Sequence, residues 1–144
     1  MARGVVTKGP PAPWSSLVLD SEGLWSVSRR DPVAQAAVTA SWSAGVPVVV
    51  PSIVLAETLF GDAKDAPVNQ VLKGMLVLPV DESVARIAAS LKHGSGMSGV
   101  DATIDATVVA VSVSLGGGAI LTSDPDDIKR LAAAQPLVIR PILV

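Results

Sequence analysis

The sequence predicts an α/β fold built on a mostly parallel central sheet of about five strands. Three observations lead there. Short apolar runs rich in β-branched residues alternate with stretches of helical length, as in strand–helix–strand crossovers. Several helical stretches open on proline or acid and close on basic residues or glycine, the asymmetry of helix ends. Of the 144 residues, 49% are hydrophobic and 17% charged. That supplies a real core and argues against disorder or a coiled coil. The length suits one domain, and no internal repeat is visible.

The elements follow in order. Residues 1–15, "MARGVVTKGPPAPWS", read as a flexible tail, too rich in proline and too weakly apolar for a secretion signal. "SLVLDS" (16–21) is an apolar run ending in acid, a buried strand. Residues 23–45 read as helical with a break near Pro32 and a stop at Gly45. "VPVVV" (46–50) is the second strand, and "PSIVLAETLFG" (51–61) runs from proline to glycine as a helix. A short helix over 65–74 leads to the third strand, "MLVLPV" (75–80). "DESVARIAASLKHG" (81–94) has acid in its first turn, base near its end and a terminal glycine, a full helix signature. "SGMSG" (95–99) is a loop, and residues 100–115 form a mostly apolar helix. "GAILTS" (118–123) is the fourth strand. In the helix over 123–134, Asp124 fits the N-cap and Pro125 the first turn. "PLVIRPILV" (136–144) is the last strand.

Composition narrows the chemistry. With no cysteine there is neither a disulfide nor a thiolate metal site, and a lone histidine, His93, leaves little scope for imidazole-based chemistry. The lack of cysteine and of a membrane-length apolar run fits a cytoplasmic protein. The net charge of -2 offers no global attraction for nucleic acid, so a phosphate ligand must be held by local cations or a bound metal. Arg29, Arg30, Lys64, Lys73, Arg86, Lys92, Lys129 and Arg140 are the candidates, each equally readable as solvated surface charge. Trp14, Trp25 and Trp42 lie in or beside apolar segments and read as packing residues.

The acids are placed unevenly. Asp20 closes the first strand, with Glu22 just beyond. Glu57 sits among Leu55, Ala56 and Leu59; buried there it needs a partner such as Lys73 or Arg86, and otherwise it faces solvent. Asp101 and Asp105 lie one turn apart on an apolar helix, where like charges repel. Asp124 follows the fourth strand, with Asp126 and Asp127 reading as first-turn acids on a solvated face. Asp101 also suits a helix N-terminus and Asp124 an N-cap, but Asp105 lies too far along its helix for that reading. In a parallel α/β sheet the carboxyl ends of the strands hold the ligand. Four separated segments can therefore bring carboxylates to one place. An oxygen-only cluster of that kind suits Mg²⁺ or Mn²⁺, and with it attack of water on a phosphodiester.

Together, "LVLDSEGL", "VPSIVLAETLFG", "DATIDATVVAVS" and "AILTSDPDDIKRL" resemble the four acidic motifs of PIN-domain ribonucleases. Within that family the chain is most similar to VapC-type toxins of type II toxin–antitoxin pairs. The resemblance runs from about residue 16 to the end and implies a three-layer α/β/α sandwich, a PIN-like nuclease domain over 16–144. Asp20 matches the first acid, Glu57 the second, and Asp124, in Thr122-Ser123-Asp124, the fourth. For the third, both Asp101 and Asp105 fit the motif; the distance to Thr122 suits Asp105, with Asp101 auxiliary. Glu22 departs from the small polar residue usual two places after the first acid.

The resemblance implies a divalent-metal-dependent endoribonuclease that cuts structured RNA such as tRNA or rRNA, is inhibited by a cognate antitoxin and forms a homodimer. Two alternatives stand beside it. One is another Mg²⁺-dependent phosphoryl-transfer enzyme, phosphatase or receiver-like, with Asp20 as nucleophile. That chemistry wants a lysine at the site, and no predicted strand ends in one. The other is a catalytically inactive PIN-like binding module.

Overall fold

A computed structural model describes residues 14–144. Of the expected tail, residues 1–13 lie outside the described residues. Trp14 and Ser15 reach the domain, the Trp14 indole donating to Ser41 Oγ at 2.9 Å.

The chain runs β1 (Leu17–Leu19), α1 (Ser21–Ser28), α2 (Pro32–Ser43), β2 (Val48–Pro51), α3 (Ser52–Thr58), α4 (Ala66–Leu72), β3 (Leu76–Leu78), α5 (Glu82–Ser95), α6 (Val100–Ser114), β4 (Gly118–Thr122), α7 (Pro125–Ala132) and β5 (Ile139–Leu143). A 3₁₀ turn at Ala63–Asp65 leads into α4. The expected α/β/α sandwich is present, and its five-stranded sheet, in the order β3-β2-β1-β4-β5, is parallel throughout. β1 is central, Leu17 facing Val48 on one side and Ala119 on the other.

This order places the site. The chain steps outward from β1 through β2 to β3, then returns to β4 on the far side of β1 and steps out to β5. Right-handed crossovers in opposite directions put helices on opposite faces. α2, α3 and α4 accordingly pack around α1, and α5, α6 and α7 pack with one another. The reversal of strand order falls between β1 and β4. A parallel sheet opens a crevice at the carboxyl ends of such a strand pair.

The core explains why the strands are so short. Leu17, Val18 and Leu19 of β1 and Ile120 and Leu121 of β4 are completely buried, because both faces of the sheet are covered. α6 lies against β1 and β4 and buries Ala106 through Ser112 without a break. It is the apolar rod that carries Asp105 at its exposed end. Gly23 lets α1 cross β4 closely: a Cβ there would stand 2.3 Å from the Leu121 carbonyl oxygen.

Boundaries shift for identifiable reasons. α1 starts at Ser21 rather than 23, because the Asp20 carboxylate caps it by accepting from the Gly23 amide at 2.7 Å. The break expected near Pro32 lies at Arg29–Asp31, where Arg30 takes a φ of 60° and the Asp31 carboxylate caps α2 through the Ala34 amide. The helix expected to Gly61 stops at Thr58, where Leu59 turns to extended backbone. β5 starts at Ile139 rather than 136, because the Gln135 side chain occupies both the amide and the carbonyl of Leu137. Trp42, expected to pack, is 50% exposed, though its ring covers Gly74 and its indole donates to the Gly74 carbonyl at 3.2 Å. Among the described residues no single helix is long and apolar enough to cross a membrane.

Candidate metal centre

At the crevice between the carboxyl ends of β1 and β4 lies a cavity of about 380 Å³. Asp20, Glu57, Asp101, Asp105 and Asp124 all line it, so the four acidic segments do converge. Glu22 and Ser123 line it as well. So do Ser21, Ile104 and Asp127; no basic side chain lines it among the described residues.

Each carboxylate is set by its own element. Asp20 is buried at the end of β1, with one oxygen committed to the Gly23 amide as the cap of α1. Asp124 stands at the N-cap of α7 but makes no capping bond; its backbone amide is held by the Thr122 hydroxyl at 3.0 Å. The N-cap role open to it in the sequence is thus unused, and the carboxylate is free for the cavity. Asp105 and Asp101 lie one turn apart on α6, where Asp105 is half-buried and Asp101 exposed. Of the two readings left open for Glu57, the structure takes the solvent-facing one: α3 places it at an exposed position. Its partner is neither Lys73 nor Arg86 but the Ser21 hydroxyl, which donates to Oε1.

Carboxylate oxygens of Asp105, Asp124 and Asp127 all come within 4.8 Å of one another, close enough to share one cation. Asp20 lines the same cavity from the β1 side without belonging to that trio. Of the two third-acid candidates, Asp105 is in the trio and Asp101 stands nearer the mouth. Asp127 was read from sequence as a solvated first-turn acid. It belongs to the trio because it lies three residues after Asp124, so one turn of α7 brings the two carboxylates together. That spacing was the available signal. Ser21 was also missed, and only the approach of α1 to α3 reveals it.

The cluster is electrostatically strained. Asp105 is pushed up from 3.8 to about 7, mainly by desolvation and then by the charges of Asp124, Asp20, Asp127 and Glu57. Burial raises Asp20 too, although hydrogen bonds from the Thr122 hydroxyl and the Gly23 amide pull it back. Asp127 is raised by a hydrogen bond shared with Asp124, then by desolvation and by the charge of Asp124. Carboxylates that obstruct one another's ionisation this way gain most from a cation among them.

Residues 17–134 match the PIN domain family. The chain belongs to that family. PIN domains are generally nucleases and generally use divalent metals. Three solved structures are similar to this PIN domain in fold. VapBC2 from Rickettsia felis, bound to a DNA fragment from its promoter, aligns with a TM-score of 0.65 at 14% identity, over 88% of this chain and 98% of that one. A toxin–antitoxin complex from Klebsiella pneumoniae aligns at 0.60 and 15% identity, over 78% and 89%. FitAcB from Neisseria gonorrhoeae aligns at 0.53 and 19% identity, over 86% and 96%. At these identities the likeness concerns the fold. No curated protein matches the chain in sequence.

The residues of this PIN domain fit a hard divalent cation. The donors are all carboxylate oxygens, the trio is within ligand distance, and neither cysteine nor His93 lies at the cavity. Such a donor set suits Mg²⁺ or Mn²⁺.

Proposed function

We propose that this PIN domain is a divalent-metal-dependent endoribonuclease, the toxin of a toxin–antitoxin pair. One observation carries the reading: carboxylates from four separated segments meet at the switch point of a PIN fold, three of them within ligand distance of one another.

Asp105 and Asp124 would hold the cation, with Asp127 as a further ligand and Asp20 closing the site from β1. A bound Mg²⁺ or Mn²⁺ supplies charge neutralisation at the phosphodiester and acidifies a coordinated water. The chain supplies position. The Gly23 amide and the Thr122 hydroxyl fix the Asp20 carboxylate at the edge of the cavity. The Ser21 hydroxyl steers Glu57 toward the same space, where it can orient the attacking water. Thr122 fixes the backbone at Asp124. Asp101, Glu22 and Ser123 surround the mouth as auxiliary groups. Among the described residues no lysine or arginine lines the cavity, so the cation that a phospho-accepting site wants beside its nucleophile is not among them.

The substrate is RNA of the structured kind, tRNA or rRNA. A cognate antitoxin inhibits the enzyme; the similar toxin–antitoxin structures support such a partner. The protein acts in the cytoplasm as a homodimer. The test uses Asp20→Asn, assayed on tRNA and rRNA with Mg²⁺ or Mn²⁺ and by expression in a growing cell. Cleavage and growth arrest are expected to vanish while the thermal transition persists. Full toxicity of that variant would sink the assignment, as would wild-type cleavage that survives a chelator.

A further inference from the structure

The proposed nuclease poses a physical problem. A protein of net charge -2, with an acidic cavity, has to hold a polyanion beside its carboxylates. Three of its cations are engaged elsewhere. Arg86 pairs with Glu82 at 2.7 Å, Lys92 donates to Thr103 at 2.6 Å and Arg130 to the Ser95 carbonyl at 3.2 Å. Two others stand over aromatic rings, and both follow a carboxylate that lines the cavity.

The first is on α1. Glu22, Trp25 and Arg29 recur on one face of the helix. Arg29 lies 5.3 Å from the centre of the Trp25 ring and 3.9 Å from the Glu22 carboxylate, with its side chain 55% exposed. Trp25 is packed against the core on its other side. Arg29 is thus anchored at the cavity mouth yet open to solvent.

The second follows Glu57. Phe60, the single phenylalanine in the chain, is 66% exposed, and Lys64 Nζ lies 5.5 Å from its ring centre. This exposure is built rather than incidental. Asp65 is buried, and its carboxylate accepts from the Phe60 amide at 2.8 Å and the Gly61 amide at 2.7 Å. Gly61 takes a φ of 85°, which its lack of a side chain permits. A buried carboxylate therefore clamps the turn that points the ring outward. Phe60 is three positions after Glu57, so their Cα atoms are at most about 11 Å apart.

We propose that these two pairs border the α1–α3 side of the acidic cavity as a track for single-stranded RNA: Phe60 stacks on an unpaired base, and Lys64 and Arg29 take phosphates near the scissile one. Stacking on an aromatic ring needs an unpaired base, and it tolerates any base identity. The inference rests on the nuclease reading and assigns it the residues that hold the strand.

The test measures binding of a fluorescent RNA 12-mer, single-stranded or annealed to its complement, in an Asp20→Asn background with Mg²⁺. Phe60→Ala is expected to weaken single-strand binding roughly five- to hundred-fold, the range for losing one stacked base. Phe60→Trp should retain affinity. Arg29→Ala and Lys64→Ala should each reduce the salt dependence of log K by about 0.7, the loss of one phosphate contact. The duplex should bind more weakly and ignore Phe60→Ala. Single-strand affinity unchanged in Phe60→Ala, or salt slopes unchanged in both cation variants, would overturn the track and leave the exposed ring as a protein-docking residue. Equal losses on single strand and duplex would overturn it too. The two readings fail separately. An intact protein that shows this binding pattern but never cleaves with Mn²⁺ refutes the nuclease and keeps the track.

Discussion

Asp105 offers the sharpest test of the cavity electrostatics. Its carboxyl titrates at about 7 in the folded protein against 3.8 when unperturbed. Between those values the folded state holds a proton that the unfolded chain has released. The metal-free protein must therefore lose stability as pH rises through that window, the loss being complete above about pH 7. Taken at full value, the shift corresponds to roughly 4 kcal/mol. Solvent screening in a half-open cavity reduces this to about 2 kcal/mol, of which about 1–2 kcal/mol falls between pH 5 and pH 8. Asp105→Asn removes the charge. Its stability advantage over wild type should thus grow by about 1–2 kcal/mol from pH 5 to pH 8, or roughly 3–8 °C in Tm for a domain of this size. Thermal unfolding in EDTA at the two pH values measures it directly. An advantage that stays constant with pH, or shrinks, would refute the reasoning, because the variant lacks the carboxyl whose ionisation gives this difference its sign.

Other outcomes follow from the same geometry. Mn²⁺ at about a hundred times its Kd should stabilise the wild type by about 2.7 kcal/mol. Because the cation displaces the proton on Asp105, its affinity should fall as pH drops below about 7; titration calorimetry at pH 6 and 8 checks this. Asp127→Asn should weaken Mn²⁺ binding measurably while Asp126→Asn leaves it unchanged, since only Asp127 belongs to the close trio. Gly23→Ala should destabilise by about 1–3 kcal/mol and also lower activity, because a Cβ against the Leu121 carbonyl pushes the start of α1, and Asp20 with it, off β4; chemical denaturation and cleavage assays read the two effects. Asp31→Ala should cost about 1 kcal/mol through the lost α2 cap and leave cleavage intact.

Local sequence determined a good deal here. The alternation of apolar runs with capped helical stretches established an α/β layer fold with a mostly parallel sheet, because strand burial on both faces and helix termini leave marks within a few residues. Acids at strand ends and helix heads marked Asp20, Asp105 and Asp124 as partners, because a parallel sheet sends its carboxyl ends to one edge. The spacing to Thr122 favoured Asp105 over Asp101, and the structure puts Asp105 in the close trio.

What sequence could not decide depended on the relative placement of separate elements. Whether Asp124 caps α7 or faces the cavity is settled by the hold of Thr122 on its backbone and the approach of α6. Asp127 looks like any first-turn acid until α7 docks beside Asp105. Glu57 looks buried in its own helix, and only the packing of α1 beside α3 turns it outward and gives it Ser21 as a partner. The exposure of Phe60 rests on Asp65, a residue whose burial nothing in its neighbourhood announces. Periodicity and capping are properties of one segment and can be read from it. Which oxygens meet, and which charges therefore obstruct one another, depends on distances across the fold, and those exist only once the layers have packed.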